Sequence, residues 1–337
     1  MPEPEKNKII VSVIVPCRNE ERFIGRCLDS IVAQDFPKDK MEIIVVDGYS
    51  EDGTKKIIEQ YIKSYPLIKL LDNPKKITPA ALNIGISQAQ GEIIMKMDAH
   101  STYQKDFISK CVKYLKDYNA DNVGGAVIAT PQENTFIAQA ISFSLSHPFG
   151  VGDSYFRLGS IKPRQVDTVA FGCFKKEVFK KIGLFNENLA RIEDIEFNSR
   201  LRKAGGKILL MPDIVAYYYP KSTLSGFFKH NFEDGIWVTY SLKFSRFAFS
   251  IFSWRHLAPF FFVLGLLGSF VLSFFLFQAK ILFILIWGSY LLLNLFFSLK
   301  ISLKKGLKYL SVLPVAFVVR HVGYGLGSIW GLVKIWV

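Results

Sequence analysis

The sequence predicts an α/β domain with a mostly parallel sheet and flanking helices, followed by helices that cross a membrane. Two observations carry that expectation. Short apolar, β-branched runs alternate with stretches of helical periodicity over roughly the first hundred positions, the pattern of right-handed crossovers in a parallel sheet. Charged and apolar residues are mixed over roughly the first 240 positions, and after Phe260 the chain becomes nearly continuous in Leu, Phe, Ile and Val.

Ile9 to Val15 reads as the first strand, ending at Pro16. Arg22 to Gln34 places Phe23, Cys27, Leu28, Ile31 and Val32 on one helical face. A second strand over Glu42 to Val46 is closed by Asp47-Gly48, a helix runs from about Thr54 to Tyr65, and Ile68 to Leu71 is a third strand. Thr78 to Gln90 is helical with Pro79 in its first turn, and Ile93 to Met97 is the fourth strand. No Gly-x-Gly-x-x-Gly follows the first strand, where Pro16-Cys17-Arg18-Asn19-Glu20 stands instead. There is no Walker A sequence either, so dinucleotide binding and ATP hydrolysis have no support.

Leu257 to Phe277 carries no charge and is long enough to cross a bilayer core. Ile281 to Leu299 is a second such stretch, and Val312 to Val333 a third, interrupted by Arg320 and His321. The expected organisation is a soluble domain over 1–225, an amphipathic interface segment over 226–256 and a membrane domain over 257–337, with spans at 257–277, 281–299 and 312–333. The net charge of +13 comes without a nucleic-acid-binding module. Part of it is the cluster Lys300, Lys304, Lys305 and Lys308 between the second and third stretches, which the positive-inside rule puts in the cytoplasm. Threading back through two spans makes the N-terminal domain cytoplasmic, and a third span puts Val337 outside. Arg320 and His321 then lie near the cytoplasmic end of the last span, where an anionic lipid head group suffices as partner. Met1 to Lys8 has no apolar stretch of the secretory kind, and Cys17, Cys27, Cys111 and Cys173 lack Cys-x-x-Cys spacing and fit a reduced compartment.

The residues that could carry chemistry stand at strand ends and one helix start. Asp98 and His100 follow the fourth strand at i and i+2, where an open α/β sheet presents its ligand site. A carboxylate and an imidazole suit Mn²⁺ or Mg²⁺ held with a substrate diphosphate; a turn-capping Asp is the bland alternative. Asp47 at the end of the second strand can accept a hydrogen bond from a base or ribose, or simply close a polar turn. Glu20 can line the same crevice. Glu193, Asp194 and Glu196 open a helix that ends in Arg200, Arg202 and Lys203. That order complements the helix dipole, and equally offers one carboxylate as a general base. Phe227 to Trp237 is basic and aromatic, as a helix on a membrane surface would be, and could also contact a diphosphate.

Together these segments resemble the inverting family 2 glycosyltransferases of GT-A fold, and most closely their membrane-bound succinoglycan-type (ExoA-like) subgroup. The likeness is carried by Val11 to Glu20, the Asp47 to Thr54 turn, Asn83-Ile84-Gly85 with Gly91, Asp98-Ala99-His100, Glu193-Asp194 and His321 to Gly327. The resemblance implies a GT-A nucleotide-diphospho-sugar transferase domain. Pro16, Glu20, Asp47 and Asp98 would then be on the donor side, with Asp47 at the uracil of a UDP-sugar. Asp98 and His100 would be at the metal, and Asp194 would be the catalytic base. It puts Glu193, Asp167, His230 and Trp237 on the acceptor side. The implied reaction moves a hexose to a polyprenyl-linked saccharide at the cytoplasmic face, in exopolysaccharide or cell-surface glycan synthesis.

Three positions depart from the family pattern. Gly48 and Tyr49 replace an acidic residue and a glycine in the uridine turn, and His100 replaces the second Asp of the metal motif. Lys229-His230-Asn231 and Trp237 stand where processive relatives carry Gln-x-x-Arg-Trp, which argues against a processive synthase. The alternatives are a polyprenyl-phosphate sugar synthase, a non-catalytic sugar-nucleotide sensor, and a transporter carrying such a sensor, for which three spans are few.

Overall fold

The computed structural model describes residues 8–245 and 250–337. The opening segment Met1 to Asn7, on which the expectation about a secretory signal rests, lies outside the described residues, as do positions 246–249 of the expected interface segment. The chain begins with β1 (Val11–Cys17), α1 (Ile24–Val32), β2 (Met41–Asp47), α2 (Thr54–Ser64), β3 (Ile68–Asp72) and α3 (Thr78–Gln88). It continues through β4 (Ile93–Lys96), β5 (Ser101–Tyr103), α4 (Phe107–Asp117), β6 (Asn122–Ala129), α5 (Phe136–Ser144), α6 (Pro148–Val151) and α7 (Tyr155–Leu158). Next come β7 (Arg164–Gln165), β8 (Cys173–Lys175), α8 (Lys176–Ile182), α9 (Glu193–Lys203) and β9 (Ile208–Tyr218). The C-terminal part is helical: α10 (Leu224–Tyr240), α11 (Trp254–Leu272), α12 (Phe277–Lys305) and α13 (Leu313–Trp336).

Two compact units share these elements. One runs to Ile128 and resumes over Gly159–Tyr218; the other takes Ala129–Leu158 and Tyr219–Val337. Residues 129–158, expected in the first domain, therefore group with the C-terminal helices. Their apolar anchors, treated below, are the physical reason.

The first unit is built on a nine-stranded sheet of order β3-β2-β1-β4-β8-β6-β9-β5, with β7 paired to β9. β3, β2, β1 and β4 are parallel, whereas β8 meets both β4 and β6 antiparallel. Every residue of β1 and β2 is buried, as expected of parallel strands covered on both faces. The crossover helices can lie close to the strands only where side chains are small. A Cβ on Gly85 of α3 would stand 2.5 Å from Ile14 Cγ2, and one on Gly91 2.7 Å from the Ser12 backbone nitrogen. Glu42 ties three strands at one end: Oε1 accepts from Ser12 Oγ (2.7 Å) and the Gln90 N–H (2.6 Å), and Oε2 pairs with Lys69 Nζ (2.9 Å). All four cysteines are buried and unbridged, consistent with packing roles.

In the second unit, α10 and α13 lie along each other on a stripe of small residues. A Cβ on Gly327 would fall 2.0 Å from Phe232 O, one on Gly331 2.4 Å from Ile236 O, and one on Gly235 2.2 Å from Tyr324 O. Glycine at every fourth position lets two helix backbones approach closely. The face of α10 bearing Phe227, Asn231, Gly235 and Ile236 is thus buried by α13, where the sequence alone suggested a helix lying on a membrane surface.

Two helices among the described residues, α11 and α12, are long and apolar enough to cross a membrane. They are not core helices, since they expose large apolar side chains such as Phe261 (57 %) on α11 and Leu285 (62 %) and Leu292 (72 %) on α12. The expected third span forms α13 but is not of this kind, because glycines, Arg320, His321 and Lys334 dilute its apolar character. The expected outside position of Val337 loses its footing with it. Arg320 and His321 have partners inside the unit rather than in a lipid head-group layer. Arg320 donates to Gly150 O and Asn231 Oδ1, and His321 bonds Phe149 O (2.9 Å) and Tyr290 Oη (3.0 Å). These bonds, with Phe149 packed on Phe297 and Phe317, fasten α6 to the C-terminal helices.

Candidate active site

The carboxyl ends of β1, β2 and β4 open into a cleft of about 200 Å³ within the first unit. Its lining includes Pro16, Arg18 and Glu20 after β1, Gly48 after β2, and Lys96, Asp98 and His100 at the end of β4. Asn73, Lys76 and Thr78 close one side, and Glu193 at the first turn of α9 closes another. Parallel strands end on one edge of a sheet, so residues some eighty positions apart converge there.

His100 Nδ1 lies 3.0 Å from Glu20 Oε1, and its ring meets Tyr218 edge-on at 5.5 Å. A carboxylate on one ring nitrogen fixes the orientation of an imidazole, an arrangement common behind metal-ligating histidines. Asp98 Oδ1 stands 3.4 Å from Lys96 Nζ, which also lies 3.1 Å from Glu193 Oε1. Lys96 and Glu193 are both buried. Burial favours the neutral amine of Lys96, but Asp98, Glu193 and Asp194 outweigh it and keep the ammonium charged. Burial pushes Glu193 up; Lys96 pulls it down, while Asp194 and Asp98 push it up further.

Asp47 is fully buried at the end of β2. Its oxygens accept from the Ser50 N–H (3.0 Å) and Ser50 Oγ (2.5 Å), which draws the turn closed and puts Tyr49 at φ 53°. Asp194 is half-buried and lies one residue beyond Glu193, its Oδ1 accepting from the Ile195 N–H at 2.8 Å. The acidic pair is delivered by a strained residue: Ile192, β-branched and buried, sits at φ 60°. A left-handed β-branched residue costs on the order of 1–3 kcal/mol and is retained only where its surroundings hold it.

Of the residues expected at the site, Pro16, Glu20, Asp98, His100 and Glu193 line one cleft. Asp47 is next to it in sequence, before Gly48, with its carboxylate engaged in its own turn. Asp194 and the half-buried Asp167 are in the same unit but do not line the cleft. His230 and Trp237 belong to the second unit, on α10, where His230 Nε2 pairs with Asp234 Oδ2 at 3.3 Å. Sequence reasoning missed Lys96. Its signal was a lysine inside the otherwise apolar strand Ile93 to Met97.

Among the described residues, no three His, Cys, Asp or Glu side chains converge as a ready-made metal cage. Asp98 and His100 nevertheless supply an oxygen and a nitrogen donor on one cleft. That donor set fits a divalent ion that completes its shell with substrate phosphate oxygens and water.

The profile of glycosyl transferase family 2 matches residues 12–183, half of the chain, including all three strand ends at this cleft. The chain belongs to glycosyl transferase family 2. A dolichyl N-acetyl-alpha-D-glucosaminyl phosphate 3-beta-D-2,3-diacetamido-2,3-dideoxy-beta-D-glucuronosyltransferase of Methanococcus voltae is 31 % identical over 235 residues, spanning 67 % of this chain and 71 % of that protein. The succinoglycan biosynthesis protein ExoA of Rhizobium meliloti is 29 % identical over 227 residues, 66 % of this chain and 67 % of that protein. Among solved structures, the mannosyltransferase PcManGT of Pyrobaculum calidifontis, in complex with GDP-Man and Mn²⁺, superposes with a TM-score of 0.60 at 19 % identity, covering 93 % of this chain and 86 % of that one. Residues 1–349 of Staphylococcus aureus TarS, in complex with UDP-GlcNAc, give 0.54 at 17 % identity, covering 95 % and 91 %. These likenesses establish the GT-A fold of this family 2 glycosyltransferase.

Proposed function

We propose that this glycosyltransferase moves a hexose from a UDP-sugar to a polyprenyl-linked saccharide, with inversion, at the cytoplasmic face of a membrane. The observation that carries the reading is the single cleft joining the strand-end groups Glu20, Asp98 and His100 to the acidic start of α9. The donor nucleotide would lie along β1 and β2, with Asp47 and its turn facing the base and Arg18 and Lys76 offering positive charge. Asp98 and His100 would hold Mn²⁺ or Mg²⁺ with the diphosphate; such an ion supplies charge neutralisation for the departing UDP.

Asp194 takes the proton of the acceptor hydroxyl as the oxygen attacks the anomeric carbon from the face opposite UDP. Its oxygen bond to the Ile195 N–H fixes the carboxylate at the helix start, and Glu193, buried against Lys96, holds that turn in place. Inversion follows from in-line displacement. Asp167, in the same unit as the cleft, is assigned to the acceptor side.

The lipid-linked acceptor is supported by the two membrane-type helices, and by relatives named for dolichyl-phosphate-sugar and succinoglycan chemistry. Lysines at and beyond the end of α12 support a cytoplasmic position for that end, from which two crossings would return the start of α11 to the same side.

The test is UDP release by detergent-purified protein with a panel of UDP-sugars, Mn²⁺ and a lipid-linked saccharide extract, beside Asp194→Asn. Release with one donor, abolished by EDTA and lowered about 10²–10⁴-fold by the substitution, is the expected result. Silence with every UDP-sugar but release from GDP-mannose would replace the donor class. UDP binding without turnover would favour a sugar-nucleotide sensor. Full activity of Asp194→Asn with a lipid phosphate acceptor would favour a polyprenyl-phosphate sugar synthase, because a phosphate nucleophile scarcely needs a base.

A further inference from the structure

The second unit contains a cavity of about 370 Å³ that the transfer chemistry does not use. Its wall is formed by α6 and by the facing sides of α11, α12 and α13, with Phe149, Trp254, Pro259, Phe262 and Tyr290 as its bulk. We propose that this cavity seats the first isoprene units of an isoprenoid phosphate, with the phosphate at Arg255. The inference rests on the reading of the chain as acting on a lipid-linked acceptor, and names the part of that lipid which the protein grips.

Four features point to this occupant. α11 and α12 are the two helices with the length and apolar exposure of membrane spans, so a hollow on their flank is filled by hydrocarbon and not by water. The cavity has a lipid's polarity along α11. Trp254, 76 % exposed, and Arg255 stand at the helix start, as aromatic and cationic residues do at a membrane interface, while Pro259 and Phe262 lie up to seven residues deeper, about 10 Å along the axis.

An anion already occupies the upper end. Arg255 Nη1 pairs with Asp153 Oδ1 at 3.3 Å, and the Arg255 side chain is only 9 % exposed whereas that of Asp153 is 44 % exposed. A lipid phosphate is the anion a bilayer supplies at that depth, and it can displace the more exposed partner. Finally, the floor is stiff. Both ring nitrogens of His321 are engaged, by Tyr290 Oη and Phe149 O, and Phe262 stacks on Tyr290 at 4.4 Å. Fixed ring faces suit a branched, unsaturated chain with little freedom to lose, more than a flexible saturated acyl chain.

The experiment uses the full chain in phosphatidylcholine nanodiscs with a polyprenyl phosphate carrying a photoreactive diazirine near its head group. Labelled peptides are expected from α6, α11 and α12. Labelling should be competed by unlabelled polyprenyl phosphate at about tenfold lower concentration than by either polyprenol or phosphatidic acid. Ala258→Trp, which fills the cavity from an exposed position, should reduce labelling about tenfold while UDP affinity stays unchanged. Equal competition by phosphatidic acid would make this an ordinary acyl-chain groove and overturn the proposal. So would labelling confined to other helices, or undiminished labelling of Ala258→Trp. Should that variant not purify, the wild-type competition series decides alone. UDP binding measured on the same preparation separates the two readings. Labelling without UDP binding strikes only the donor assignment, and UDP binding without labelling strikes only this one.

Discussion

Lys96 Nζ lies 3.1 Å from Glu193 Oε1, a contact that joins the last residue of β4 to the first residue of α9. Both side chains are withdrawn from water, and the same ammonium reaches Asp98 at 3.4 Å. Asp98 and the acidic start of α9 are therefore set relative to each other by one buried cation. Lys96→Met leaves Glu193 buried without its partner and should destabilise the chain by about 3–5 kcal/mol. Lys96→Met combined with Glu193→Gln should recover most of that loss, because the more deeply buried of its two partners no longer carries a charge and Asp98 keeps access to water. Thermal unfolding in detergent measures both, and equal midpoints for the single and double variants would refute the pairing.

His100 offers a nitrogen donor where a carboxylate would offer oxygen. His100→Asp should raise the ratio of activity with Mg²⁺ to activity with Mn²⁺, since imidazole favours the softer ion. The comparison is transfer rate at saturating concentration of each metal. A ratio identical to wild type would place His100 outside the metal's shell.

Glu42 makes part of the first unit's stability dependent on pH. Burial pushes its carboxyl up, but the bonds from Lys69, the Gln90 N–H and Ser12 outweigh burial and hold it below its ordinary value of 4.5. A depressed folded value means that the contribution is complete above about pH 4.5 and is lost as pH falls through the folded value. Glu42→Gln should cost roughly 1–3 kcal/mol at pH 7 and flatten the acid limb of the stability profile. Unfolding midpoints at a series of pH values from neutral to acid check this; parallel profiles for the two proteins would contradict it.

The stripe on α13 predicts a sharp contrast between glycines. Gly327→Val places a Cβ 2.0 Å from Phe232 O and must push α13 off α10, costing about 1–3 kcal/mol or more. Gly268→Ala on α11 meets nothing within 4 Å and should be neutral. Fluorescence-detected unfolding of the two variants in one detergent tests the difference.

Much of this protein was legible in one dimension. The periods of β1 to β4 and α1 to α3 are local properties, and the structure places these elements within two or three residues of the expected limits. The strand-end positions of Asp47, Asp98 and His100 follow from them. So does the apolar character of α11 and α12, because the length of an uncharged run is itself a sequence quantity.

What the tertiary structure decided are relations between distant segments. Lys96 passed as one more residue of an apolar strand, and its role emerges only where α9 brings Glu193 against it from almost a hundred residues away. Residues 129–158 read as part of the soluble domain until Arg320 and His321 were seen bonding the backbone carbonyls of Gly150 and Phe149. The third apolar stretch read as a membrane span, yet its glycines serve contact with α10. Periodicity reports which face of an element is apolar. Which partner covers that face, and which charge is buried against which, depends on contacts between chain-distant groups that no local pattern encodes.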